Sequence, residues 1–441
     1  MEEQLNYCYQ QKSDLNSETI FLSQFSEIHK GTSSCLFWGK LKYPYYLSRC
    51  LITLSNVVKS SFNLSPFQIA LLKDPIVTVG NQQIRFEGFS HCVGVYARVD
   101  VLEDGLDGEV LEYGTTNVDF NQELITALGK VNRNDQLSLS VGKKEVGFHQ
   151  DGESFIERKV PLPTKWIKGL STVQLYFSQS NPIFTLTKVQ ALQLFKTLPV
   201  GKVKEDYYLS KKGNRYSFTI RKEKDTITIG GIHRLKLLQP LLPLIKEMSV
   251  YEQEEKQSVT FVLVFEGVKF NFSLSRNYYR GFSGEGALLD GLLDTFPEKL
   301  IKAFDSFTYT NQTFNPTLLA VDKDLDLSKV ENLTNVLAGM GLLGYDLETR
   351  NFYYRRLPFK LNRILSLNPR LKGAEKLIEE GKVKILSQNE YETKAEVEGS
   401  GGIQHYVLIQ GENKKCTCTW YSKNQGTRGL CKHILAVLKL K

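Results

Sequence analysis

The pattern Cys416-Thr417-Cys418, twelve intervening residues, then Cys431-Lys432-His433 restricts what the end of this 441-residue chain can fold into. Three thiols and an imidazole within so short a stretch can converge on one ion. Side chains at i and i+2 of an extended segment point the same way, so Thr417 and Lys432 are expected to project outward while the four donors meet. Zn2+ prefers four tetrahedral ligands, with sulfur at about 2.3 Å and imidazole nitrogen at about 2.0 Å, and three cysteines with one histidine make a closed structural set. One structural Zn2+ held by Cys416, Cys418, Cys431 and His433 is the expectation. With all four positions taken by protein, no place is left for a reactive water. Two other readings compete. A chance cluster of core cysteines is disfavoured by the amphipathic run ILAVLKLK that follows directly, and a redox dithiol by Cys-X-Cys spacing where Cys-X-X-Cys is usual.

The charge is segregated. Lys and Arg number 56 and Asp and Glu 48, a net of +8, yet residues 350–441 alone hold 18 basic against 8 acidic side chains. The preceding 349 residues therefore carry a net of −2. A basic segment beside a metal module suggests an anionic partner, DNA or RNA first, an acidic protein second. Arg355, Arg356, Arg363, Arg370, Trp420, Tyr421, Lys423 and Arg428 are the candidate contacts, cations interleaved with stacking faces. The competing reading is a solvated basic surface with Trp420 packed under the metal loop.

A hydrophobic content of 41% with 24% charged residues is that of an ordinary globular protein, with room for two to four domains. The first residues lack a basic stretch leading into an apolar one, so no secretory signal is expected. No apolar run approaches the ~20 residues of a membrane-spanning helix. Seven cysteines, four of them without framework spacing, point to a reducing, cytoplasmic setting.

The expected fold class is α+β and multidomain. Residues 1–70 are expected to be mostly helical, with a helix over 44–60, and residues 71–200 a β-rich α+β domain containing PIVTVG, QIRFEGF, CVGVYARVDVL and LSLSVG. A second β-rich α+β domain is expected over 201–318. Residues 319–385 read as a winged-helix-like basic segment. Ser328 and Glu331 suggest a capping box, with Val330, Leu333, Val336, Leu337 and Met340 on one helical face, then a hairpin around ETRN and a helix in PRLKGAEKLIEEG. Residues 386–441 are expected to form the finger.

No catalytic set stands out. Glu87, His91, Cys92 and Arg98, with Asn117, Asp119 and Asn121, could assemble a nucleophile and base, but a buried cysteine and strand-end polar residues making turns explain them better. Glu285 in GFSGEG reads as a helix-start carboxylate, and that glycine-rich turn lacks the lysine of a nucleotide loop. The chain reads as a binding protein. An enzyme within residues 71–318, with the finger as targeting module, is the alternative.

CTCTWYSKNQGTRGLCKHILAVL resembles a SWIM-type zinc finger, Cys-X-Cys followed by Cys-X-His. Upstream, DPIVTVG, IRFEGFSHCVGVYARVD, YGTTNVDFN, RGFSGEG and NPRLKGAEKLIEEGKV are similar to successive blocks of an uncharacterised bacterial SWIM zinc-finger family, over roughly residues 70–441. The resemblance implies zinc on the same four residues. It also implies a partner system of a MoxR-type AAA ATPase and a von Willebrand factor A-like protein, with this chain as adaptor. Where such relatives often carry histidine before the arginine of HRELP, this chain has Tyr354 and Arg355, so chemistry assigned to that histidine does not transfer.

Overall fold

The computed structural model describes residues 35–60, 75–80, 83–150, 152–159, 164–201, 203, 205–276, 281–282, 313–339, 342–355, 369–411, 413–424 and 430–440. Ahead of residue 35 it describes four three-residue strands, Tyr7–Tyr9 paired with Phe25–Glu27 and Asp14–Asn16 with Thr19–Phe21. The helix expected near residue 44 is Pro44–Lys59, started by proline at its first turn, where the missing N–H costs nothing. Before it the described residues are strand rather than helix, and Cys35–Leu41 enters a five-stranded sheet. Contacts divide the chain into two units, one of residues 1–163, 179–281 and 353–358, the other of residues 164–178, 282–352 and 359–441.

In the first unit the strands of both β-rich regions share one eight-stranded antiparallel sheet. Its order is Gly114–Asn117, Ile76–Gly80, Gln83–Phe89, Val95–Val101, Val268–Ser275, Ser258–Val264, Glu247–Gln253 and Ser180–Thr187. The seam between the regions is the pairing of Val95–Val101 with Val268–Ser275, where Val99 lies opposite Phe270 and Ala97 opposite Phe272. Alternation along these strands sends Ile84, Phe86, Val99, Phe270 and Phe261 into one buried core, shared with the Pro44–Lys59 helix. The five-stranded sheet adds Phe37, Leu139, Val146 and Phe148 to that core. The 187–198 helix is Lys188–Phe195, capped by Thr187 and Gln190 in a reciprocal box.

The opposite face of the large sheet is buried too, and it is polar. Arg85 and Glu87 on one strand, Arg98 and Asp100 on the next and Asn271 on the third are each at most 3% exposed. The Arg98 guanidinium grips Asp100 at 2.7 and 2.8 Å, and Asn271 Nδ2 donates to the same carboxylate at 2.9 Å. Residues 353–355 complete the cluster. Arg85 stacks on the Tyr353 ring, 3.8 Å from its centroid, and Arg355 Nη1 donates to both Glu87 oxygens, to Oε2 at 2.8 Å. Arg355 is therefore a buried partner of Glu87 and leaves the set of candidate surface contacts. Glu87 and Arg98 likewise serve this cluster. Asn121 caps the Gln122–Lys130 helix by accepting from Leu124 N, which is the turn-forming role. Cys92 is half-buried, with Arg234 Nη2 at 3.3 Å and Ser90 Oγ at 3.4 Å from its sulfur.

In the second unit the helix Leu327–Gly339 begins earlier than the proposed capping box. Asp326 caps it, its carboxylate accepting from Lys329 N at 3.0 Å. Val330 and Leu333 are buried as expected, and Met340 lies outside the described residues. Leu343–Asp346 and Asn351–Tyr354 are neighbouring strands, as the hairpin pattern predicts, in a sheet completed by Thr313–Phe314. The expected third piece of a winged helix is placed differently. Helix Pro369–Glu379 buries Ala374 and Leu377 against the metal-bearing body, while the hairpin is held by a helix absent from the sequence reading, Thr164–Ser178, whose Gln174 accepts from Tyr345 N at 2.7 Å. Glu285 and the GFSGEG turn beyond Phe282 fall outside the described residues. None of the described helices is long and apolar enough to cross a membrane.

Candidate metal centre

A four-stranded antiparallel sheet, Val383–Gln388, Thr393–Glu398, Gln404–Gln410 and Asn413–Cys416 in that order, leads the chain to the donors. Its inner face, with Ala395, Val397, Val407 and Ile409, packs on helices Pro369–Glu379 and Lys432–Leu440. Among the described residues the finger's folded body thus takes in the helix that starts at Pro369.

Cys416 ends the last strand. Cys418 precedes the helix Thr419–Asn424, whose Tyr421 N–H donates to its sulfur at 3.4 Å, so a thiol stands where a serine or aspartate usually caps. Cys431 precedes the second helix, its carbonyl accepting from Leu435 N, and His433 sits in that helix's first turn. The extended geometry inferred from spacing therefore does not hold at Cys431-Lys432-His433, which is a helix start. Convergence survives because the first helical turn also brings near neighbours to one side, with its unpaired N–H groups and positive dipole end favouring thiolate.

All four donors are buried, and their ligating atoms lie within 4.8 Å of one another. Cys416 Sγ to His433 Nδ1 is 3.8 Å. A tetrahedron with bonds of about 2.3 Å has edges of about 3.8 Å, so this cage needs little adjustment to close on zinc. Nδ1 is thus the histidine nitrogen directed at the thiols. Cys418 is held toward its thiolate by the hydrogen bond from the Cys416 thiol and then by Cys431, against the opposing effect of burial, while Cys416 is pushed up as donor to Cys418. The residues fit one zinc ion.

Residues 400–441 match the SWIM zinc finger family. That finger, with Cys416, Cys418, Cys431 and His433 able to hold one zinc ion, is where sequence pattern and geometry agree. No curated protein matches the chain. Among solved structures, the proliferating cellular nuclear antigen of Entamoeba histolytica is similar at 14% identity, covering 55% of this chain and 98% of that one with a TM-score of 0.36. A DnaN sliding clamp of Bartonella birtlesii is similar at 10% identity, covering 87% of this chain and 85% of that one, again at 0.36. Scores this low do not establish a shared fold.

The remaining candidates scatter. Arg370 lies 4.9 Å from the Trp420 ring centroid and donates to Leu430 O at 2.9 Å, tying the first helix of the finger body to the loop before Cys431. Trp420 and Tyr421 are partly buried and pack against the finger core. Lys423 is exposed. Arg356, Arg363 and Arg428 lie outside the described residues.

One residue escaped sequence reasoning altogether. His405 places its ring 4.4 Å from that of His433, and Gly399 makes room for both. A Cβ at Gly399 would come within 2.6 Å of His405 and 3.1 Å of His433 Nε2. The sequence signal was slight, a histidine just after a glycine-rich turn. Gly399→Ala is expected to displace this pair and weaken zinc roughly 10- to 100-fold, the usual effect of disturbing a ligand's supporting shell. Competition with a chromophoric chelator measures it, and unchanged affinity would show that the imidazoles are not so confined.

Proposed function

We propose that this chain is a zinc-stabilised nucleic-acid-binding protein whose C-terminal body, residues 369–441, makes the contacts. The observation that carries the reading is the charge segregation, 18 basic against 8 acidic side chains over residues 350–441 with the opposite sign elsewhere. The structure trims that count. Lys376, Lys382, Lys394 and Lys439 are engaged with carboxylates, and Arg355 is buried. Lys372, Lys384, Lys415 and Lys423 are exposed and make no ion pair among the described residues, so they are free to meet phosphate. A filled Cys3His set supports a binding role, because the metal orders the surface and offers no open coordination position.

Zinc-loaded full-length protein is expected to bind oligonucleotides at about 50 mM salt, with affinity falling as salt rises because each neutralised phosphate releases counterions. Fluorescence anisotropy over a salt series tests it. No affinity for single- or double-stranded DNA or RNA at low salt sinks the reading and redirects the basic surface to an acidic protein partner.

A further inference from the structure

We propose that the outward face of the finger's four-stranded sheet is a platform for single-stranded nucleic acid, with Tyr406 stacking on a base and Lys384 and Lys415 taking the phosphates. This rests on the nucleic-acid reading above and assigns it a place.

The inner face of the sheet is spent on the helices and the metal centre, so alternate residues face outward. Two cross-strand rows result. Lys384 lies opposite Glu396 and Glu396 opposite Tyr406, while Lys394 lies opposite Leu408 and Leu408 opposite Lys415. Tyr406 is 55% exposed in the middle of this face, and Leu386 at its edge is 49% exposed. A large ring left half in water on a sheet, with cations to either side, is the arrangement that grips a strand through base stacking and backbone charge. Glu396 is the one carboxylate within the rows, half-buried and in register with Lys384; Lys394 is held by Glu392 at 2.6 Å, while Lys384 and Lys415 have no carboxylate partner among the described residues. A duplex keeps its base faces stacked on one another, so an exposed ring selects a single strand.

The metal holds the platform rigid. Tyr406 N donates to Thr417 Oγ1 at 3.0 Å and Tyr406 O accepts from Thr417 N at 3.1 Å, and Thr417 is the residue between the two cysteines of the first pair. On the other side of the same strand, His405 lies against His433. Tyr406 is therefore fixed from both directions by residues that zinc orders.

The test uses full-length protein, labelled oligo-dT and oligo-rU of about 12 nucleotides, and a duplex of equal length. Single strands are expected to bind more tightly than duplex, with a log–log salt slope near −1.4, about −0.7 for each of the two lysines. Tyr406→Ala should weaken binding roughly 5- to 150-fold and Tyr406→Phe should restore it, since the face of the ring and not its hydroxyl does the stacking. Lys384→Gln and Lys415→Gln should each flatten the slope by about 0.7. Zinc content and melting temperature identify any variant that has lost its fold, and the lysine pair then carries the test. If the chain binds while Tyr406→Ala and both lysine variants leave affinity and slope unchanged, the platform is wrong and the wider reading stands. If the unaltered chain binds no oligonucleotide, both fall.

Discussion

Cys431→Ala is expected to abolish stoichiometric zinc and to unfold the body spanning residues 369–441, while the first unit keeps its structure. The body has a small core of which three buried members are the cysteines themselves, with Ala374, Leu377, Ala395, Val397, Val407 and Ile409 among the rest. Apolar burial on this scale contributes little once chain entropy is subtracted, so folding depends on the metal. Structural zinc contributes apparent binding energies of about 10–16 kcal/mol in finger peptides, and removing one thiolate opens the tetrahedron. Acid should act in the same direction, because protons compete with zinc for the thiolates. Elemental analysis together with amide exchange over residues 369–440 checks the prediction. A variant that keeps one equivalent of zinc and full protection would show that Cys431 is not a ligand.

The second large effect is expected far from the metal. Glu87→Ala strands the Arg355 guanidinium, whose side chain and partner are both 0% exposed, in a cluster that already holds Arg85 and Arg98. Removing one member of a buried pair costs about 3–5 kcal/mol, because the remaining charge has lost its compensation. Replacing both at once, Glu87→Leu with Arg355→Met, should cost far less or even stabilise, since two well-packed apolar groups have no desolvation penalty to offset. Urea unfolding of the three proteins measures both effects. A single variant within about 0.5 kcal/mol of the parent would mean that Arg355 is not buried against Glu87 in solution.

Arg355 shows where reading the sequence stopped. In YYRRLPF it looked like one more cation of a basic segment, because Glu87 stands 268 positions away and nothing local marks the pairing. Arg370 and Trp420 were read as separate surface contacts for the same reason, since nothing local marks that they lie beside each other in the finger body. The helix Pro369–Glu379 was legible as a helix, but its apolar stripe does not say which sheet it covers. Helix Thr164–Ser178 was missed because β-branched and aromatic residues in its sequence blur the helical period.

Spacing alone identified the four zinc donors, since tetrahedral thiolate and imidazole coordination admits few sequence patterns and this chain carries one of them. Strand periods likewise marked the large-sheet strands in PIVTVG, QIRFEGF and CVGVYARVDVL, because side-chain alternation is a property of the backbone. Only the tertiary structure could join the strands before residue 102 to those after residue 246 in one sheet. It alone buried Arg355, set His405 beside His433 and left Tyr406 facing water. Those outcomes depend on which groups meet across long chain separations, and burial and charge compensation are settled by those meetings and not by any residue's neighbours in the sequence.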